Sequence, residues 1–237
     1  MVKVLYEDNH IIAVVKPAGL LTQGDRNGER SLMEDVRDYL KEKYKKPGNV
    51  FLGLVHRLDK LVQGIVLFGK TSKGASRLSE QFREHTIQKI YHAIVVGKLD
   101  QQKGEIKEKV NKISFFAEGF TNKTDKELLQ EIKKATKTRT AELSWEVVRS
   151  NDKFSLLKIL PKTGRFHQIR IQMANMGHPI LGDTKYDRSY APMHRSIEWR
   201  NQKSIALAAT AISFKAATED KQINLEIELP KEWRTYI

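Results

Sequence analysis

Cysteine is absent from this chain of 237 residues. That absence excludes a disulfide framework, a cysteine nucleophile and thiolate-bound zinc. Long apolar runs are missing too: uncharged stretches such as those between Lys60 and Lys70 or Lys203 and Lys215 fall far short of the ~20 residues needed to span a bilayer. Met1 to Leu5 run straight into Glu7 and Asp8, which leaves no room for the apolar core of a signal peptide, so a cytoplasmic protein without membrane attachment is expected. Acidic residues are in deficit. Asp and Glu number 29 against 42 Lys and Arg, a net charge of +13, and such a surplus attracts phosphate backbones or anionic lipid whatever the fold. With 40% hydrophobic residues the chain can form a sizeable core, and its length lies between one and two average domains of ~150 residues.

Two apolar runs, Val2 to Leu5 and Ile11 to Val15, flank a polar group and read as a hairpin closed by Pro17 and Gly19. Ser31 and Glu34 form a capping box before Leu32, Val36, Tyr39 and Leu40, which predicts a helix from Ser31 to Lys43. Ile65 to Phe68 reads as a buried strand, and Ser72 as the cap of a helix carrying Ala75, Leu78 and Phe82. A strand follows from Lys89 to Val96. Lysines then crowd residues 98–140, read as a basic peripheral excursion with a short helix at 126–135. Leu143, Trp145 and Val147 alternate before a strand from Phe154 to Leu160, a pairing typical of antiparallel sheets. Phe166, Ile169, Met173 and Met176 mark one face of a helix that Gly177 can close. Strands from Ile205 to Phe214 and from Ile223 to Leu229 complete the chain. Neither internal repeats nor regular strand-helix alternation is visible, so the expectation is one α+β domain, 1–237, on a mixed and mostly antiparallel curved sheet flanked by helices.

Chemistry concentrates at His56, Arg57, Leu58, Asp59 and Lys60, just before Gly64 opens a buried strand. Cationic neighbours within ~4 to 6 Å would keep the Asp59 carboxylate ionised. Taken by itself, the stretch fits a surface salt-bridge cluster as well as a reactive carboxylate.

The surrounding residues go further. His56 to Asp59 followed by Gly64, Ile65, Val66 and Leu67 resembles the His-Arg-Leu-Asp-x-x-Thr-Ser-Gly-aliphatic motif of the RluA-type family of RNA pseudouridine synthases. Val14 to Leu21, with Lys16, Pro17, Ala18 and Gly19, resembles that family's N-terminal strand and loop; Lys89, Ile90 and Tyr91 resemble its Lys-x-Tyr strand. Thr163 to Arg170, reading Thr-Gly-Arg-Phe-His-Gln-Ile-Arg, and Gly177 to Asp183 resemble its most recognisable stretch. The segments are collinear and cover nearly everything but the basic excursion. A stand-alone catalytic domain, with no separate N-terminal RNA-binding module, is therefore expected.

The resemblance implies a pseudouridine synthase fold with a central RNA-binding cleft, acting on structured RNA, ribosomal RNA ahead of transfer RNA, without cofactor or metal; a monomer is the simplest expectation for one compact catalytic domain. It implies that Asp59 is the essential carboxylate, that Tyr91 lies against the uracil, and that Arg165 is the arginine pairing with Asp59. Arg57 would fill the space left by a flipped uridine or contact phosphate. His56, Lys89, His167, Gln168 and Arg170 would touch RNA or brace the site, and Leu207 would form an aliphatic wall. The chain departs from the family pattern at Val62 and Gln63, where Thr-Ser is expected, and at Gln23, Gln172 and Ala208, where His is common. A non-catalytic RNA-binding protein of the same fold is the alternative, against which the intact Asp59, Tyr91 and Arg165 set speaks. A phosphate-handling hydrolase would need an Asp-rich cluster or a Gly-x-x-x-x-Gly-Lys-Ser/Thr loop, and neither is present.

Overall fold

A computed structural model of the chain describes residues 2–110, 139–187 and 204–237. The hairpin is β1 (Lys3–Glu7) and β2 (Ile11–Lys16). Asp8 makes its turn, one carboxylate oxygen accepting from the backbone N–H of His10 at 2.7 Å and of Ile11 at 2.6 Å. The capping box forms as the sequence predicts, with Glu34 Oε2 accepting from Ser31 N at 2.8 Å at the start of α1 (Leu32–Lys43). β3 (Gly53–Leu54) and β4 (Gln63–Gly69) lead into α2 (Ser72–Arg83). The cap of α2 is Thr71 rather than Ser72: Thr71 Oγ1 accepts from Gly74 N at 3.1 Å.

β5 (Gln88–Val96), β6 (Lys103–Val110), β7 (Arg139–Ser150) and β8 (Phe154–Pro161) follow, then α3 (Gln168–Asn175), β9 (Leu207–Lys215) and β10 (Gln222–Glu226). Gly177, at φ 84°, closes α3 in the left-handed conformation the sequence calls for. Phe166, expected on the apolar face of this helix, precedes it and is 44% exposed. A 3-10 turn at Lys231–Thr235 seats Trp233 in the core.

Among the described residues the strands form one sheet in the order β1-β2-β4-β9-β5-β8-β7-β6, with β3 beside β4 and β10 beside β9. Every pair is antiparallel except β4 with β9, whose register is Gln63↔Ala208 and Gly64↔Ala209. Gly64 permits that junction. Its φ is +138°, and a Cβ there would lie 2.3 Å from the Ala209 carbonyl oxygen. Beyond this point β10 takes over the edge of β9, so the sheet forks where β4 and β9 meet.

β2 and β4 read as unbroken apolar runs because both their faces are covered. Ile12, Val14, Val66 and Phe68 pack with Leu32, Val36 and Leu40 of α1 and Ile169 and Met173 of α3, while Ile11, Ala13, Ile65 and Leu67 pack with Leu78 of α2 and Phe214 of β9. Burying each of the larger side chains stabilises the fold by roughly 1.5–3 kcal/mol.

The basic excursion is corrected in part. Its flanks belong to the sheet as β6 and the start of β7, paired from Lys103↔Glu146 to Val110↔Arg139. The helix expected at 126–135 lies outside the described residues.

Candidate active site

Asp59 sits on the loop between β3 and β4, and that loop is clamped from two sides. Thr22 Oγ1 donates to Leu58 O at 2.8 Å and accepts from Leu58 N at 3.1 Å. Lys16, with no exposed surface, donates from Nζ to the carbonyls of Leu20 at 2.7 Å, Pro17 at 2.9 Å and Lys60 at 3.2 Å. Burial lowers the Lys16 pKa to about 8 against the opposing pull of Asp59. The family-like Lys-Pro-Ala-Gly segment therefore braces the aspartate loop through main-chain carbonyls.

The second half of the site comes from the start of α3. His167 takes a left-handed backbone, φ 50°. The side chain of Gln168 ties the preceding loop to β7: its Oε1 accepts from Thr163 Oγ1 at 2.7 Å and Arg165 N at 3.0 Å, and its Nε2 donates to Glu142 O at 3.1 Å. Arg170, in the first turn of the helix, is 3% exposed and carries the central ion pairs. It grips buried Asp183 with two bonds, Nε to Oδ2 at 2.6 Å and Nη2 to Oδ1 at 2.7 Å, and reaches Asp59 Oδ2 with Nη1 at 2.5 Å. Its guanidinium also lies 4.8 Å over the Tyr186 ring. A planar fork with five donors serves both carboxylates at once; a lysine ammonium does not have that geometry.

His167 Nε2 meets the same Asp59 oxygen at 2.8 Å, and its Nδ1 pairs with the Tyr186 hydroxyl at 2.7 Å. Burial alone would raise the Asp59 pKa, but the His167 hydrogen bond and the Arg170 charge outweigh it and hold the carboxyl well below the usual carboxylate range. Asp59 Oδ1 is engaged differently. It accepts from Leu61 N at 3.2 Å. Asp59 as a residue borders a cleft of about 650 Å³ also lined by Arg57, Lys89, Tyr91, Arg165, Phe166 and Leu207. Burial pushes the Tyr91 hydroxyl up to about 12, so it is a protonated phenol at neutral pH, and it lowers the Lys89 ammonium. Among the described residues no cluster of three or more His, Asp or Glu is arranged to hold a metal ion.

The family model described as RNA pseudouridylate synthase matches residues 10–175, a span that holds Asp59, Tyr91 and Arg170. The chain belongs to this family. The dual-specificity RNA pseudouridine synthase RluA of Vibrio cholerae is 33% identical over 187 residues, 78% of this chain and 68% of its own length. The tRNA pseudouridine synthase C of Haemophilus ducreyi is 31% identical over 236 residues, covering 98% of this chain and 92% of its own. A ribosomal large subunit pseudouridine synthase C from Buchnera aphidicola is 33% identical over 187 residues, 79% of this chain. The chain spans 54% of that Buchnera protein, about half the length of some curated relatives it matches. The structure of human RNA pseudouridylate synthase domain containing 4 superposes with a TM-score of 0.75 at 20% identity, over 98% of this chain and 90% of that one. The mixed-sheet α+β fold is thus the pseudouridine synthase fold.

Two residues of this family member stand elsewhere than expected. Arg165 does not hold Asp59: its Nε donates to Thr140 O at 3.0 Å, and the pairing arginine is Arg170. Both lie in Thr-Gly-Arg-Phe-His-Gln-Ile-Arg, and the left-handed turn at His167 decides which of them meets the aspartate. His56 is not among the residues lining the cleft. Its Nε2 accepts from Leu67 N at 2.8 Å, its ring lies 4.6 Å from that of Phe82, and burial, then Lys89, lowers its pKa to about 3. It is a neutral structural histidine that satisfies an amide of β4. Gln168 braces the Thr163–Arg165 loop, and Leu207, 3% exposed, borders the cleft from β9.

Lys16, Asp183 and Tyr186 were missed as site residues. The signal for the first two was present, since both lie in family-like segments, and a buried arginine serving Asp59 requires a second carboxylate. Tyr186 lies beyond those segments.

Proposed function

We propose that this protein isomerises uridine to pseudouridine in RNA, with Asp59 as the catalytic carboxylate. The observation that carries this reading is the Asp59 pairing in a chain of this family: Oδ2 is held by Arg170 and His167, Oδ1 meets a single backbone N–H, and the residue lines the cleft. In the isomerisation the N1–C1′ bond breaks, the base turns, a C5–C1′ bond forms, the C5 proton leaves and N1 gains one. The carboxylate must be ionised to assist, and its partners keep it so. Oδ1, with its single backbone partner, is the oxygen we assign to that work.

A uridine in structured RNA has to leave its stack first, at a cost of a few kcal/mol. Arg57, exposed at the rim, is placed to fill the gap or to meet phosphate. Tyr91 and Leu207 supply aromatic and aliphatic surface for the ring, with Tyr91 acting as a neutral phenol. Lys89 adds positive charge beside them. Relatives are named for ribosomal and for transfer RNA; ribosomal RNA is our first candidate. We read the protein as a cytoplasmic monomer.

Tritium release from C5-labelled uridine in total RNA tests the reaction. Wild-type protein should release label and Asp59→Asn should not. Equal release by both removes Asp59 from the mechanism, and no release by wild type on any cellular RNA favours the binding-only alternative.

A further inference from the structure

Phe166 stands out among the cleft residues. It is a large apolar side chain on a strongly basic protein, 44% exposed, immediately before α3. Its ring stacks on that of His167, with centroids 3.8 Å apart and planes 14° from parallel. His167 is fixed through both nitrogens, by Asp59 and by Tyr186, so the plane of the pair is fixed with it. Phe166 borders the same cleft as Asp59. The result is a two-ring stack whose inner member touches the Asp59 carboxylate and whose outer member is partly exposed.

Resting on the RNA reading above, we propose that Phe166 is a stacking platform for an unstacked nucleobase next to the uridine being modified. Every base has a flat π-face, so an exposed, orientationally fixed aromatic ring binds bases with little regard to sequence. The position follows from the stack. A base on the outer face of Phe166 lies one ring further from Asp59 than Phe166 itself, so it belongs to a nucleotide flanking the target. The surroundings are cationic, which suits its phosphates: Lys185 Nζ lies over the Phe166 ring, 6.0 Å from its centroid, and Arg165 borders the same cleft. Burying the exposed ring against a base also removes apolar surface from water, a gain that a phosphate contact alone does not provide.

The test uses a labelled oligouridine dodecamer and an abasic ribose-phosphate dodecamer of equal charge, titrated against wild type, Phe166→Ala, Phe166→Leu and Phe166→Trp. Wild type should prefer the oligouridine. The Ala and Leu variants should bind it about tenfold more weakly while keeping wild-type affinity for the abasic strand, and Trp should restore the preference. Single-turnover tritium release at saturating total RNA should fall by less than the affinity does. Unchanged oligouridine binding by Phe166→Ala and Phe166→Leu overturns the platform, as does an equal loss of affinity for both strands. A fall in saturating turnover at normal affinity also overturns it, since Phe166 would then serve to hold His167. If wild type binds neither strand and releases no tritium, the RNA reading fails and takes this one with it; if it binds and reacts while the variants match it, only the platform fails.

Discussion

Glu7 and Asp59 occupy similar surroundings and do different things. Glu7 Oε1 accepts from Lys70 Nζ at 2.6 Å and the Tyr44 hydroxyl at 2.6 Å, and Oε2 accepts from Lys43 Nζ at 2.7 Å and the Tyr39 hydroxyl at 3.1 Å. Burial works against its ionisation, yet the Lys43 and Lys70 hydrogen bonds prevail and its pKa falls to about 2. Asp59 is likewise depressed by cationic partners and stands within a cluster that includes a tyrosine. A shifted pKa therefore does not distinguish a site from a brace. The adjoining cleft does. Both oxygens of Glu7 are doubly held and fasten α1 to the hairpin and β4, whereas Oδ1 of Asp59 meets one backbone N–H and the residue lines a cleft.

Neutralising each carboxylate should separate the two most widely. Asp59→Asn should cost more than about a thousandfold in single-turnover rate while leaving the fold intact. Glu7→Gln should stay within about twofold of wild-type activity at a temperature where both are folded. Comparable activity losses in both would break the distinction drawn from the oxygens.

The next effect in size concerns the partner arginine. Arg170→Lys retains charge but loses the fork that serves Asp183 and Asp59 together, and should lower saturating turnover about a hundredfold with RNA affinity changed by less than about threefold. Circular dichroism and thermal melting would establish that the variant folds. Normal single-turnover chemistry in a folded Arg170→Lys would show that the Asp59 orientation does not depend on the fork.

Local features were legible in the sequence, and long-range choices were not. The hairpin and α1 follow from alternation, turn residues and a capping box, all settled within a few positions. Asp59 and Tyr91 stand out in the sequence because family-like segments surround them, and the structure brings both to one cleft. Arg165 and Arg170 lie five positions apart in one such word, and no propensity indicates that His167 adopts a left-handed turn between them. His56 neighbours Arg57 in sequence but serves β4, because its partner is an amide eleven residues on. β6 was hidden by composition. Its burial alternates, yet the inward positions are Gly104, Ile106 and Glu108, so an apolar period of two is scarcely visible. Gly104 is explained by tertiary contact: a Cβ there would lie 2.7 Å from the Trp145 ring.

Glu7 should reveal itself in stability rather than rate. Its carboxylate is lowered from 4.5 to about 2 on folding, so the stabilisation is complete above pH 4.5 and is lost as pH falls through about 2. With the side chain 9% exposed but Lys43 partly in solvent, its neutralisation should cost about 2 kcal/mol at pH 7, or about 4–8 °C in Tm. Chemical denaturation of wild type and Glu7→Gln across pH 7 to 2 checks the sign: the gap should close on acidification. A gap that persists at the acid end would mean that Glu7 stabilises by packing rather than charge.

Arg165→Ala should have the smallest effect and bears most directly on Oδ1 of Asp59. Arg165 makes its described hydrogen bond to Thr140 O and borders the cleft, so its removal should weaken binding of all RNAs by a few-fold and reduce the slope of log affinity against log salt by about one. Saturating turnover should remain close to wild type. A loss as large as that of Arg170→Lys would have a different meaning: Arg165 would have to move from Thr140 onto Asp59 when RNA binds. Its guanidinium would then occupy Oδ1, leaving Asp59 as fully held as Glu7, and an aspartate bound at both oxygens is poorly placed to react. A flat rate with a reduced salt slope therefore leaves Oδ1 to its single backbone partner, and the contrast between the two carboxylates holds in the working complex.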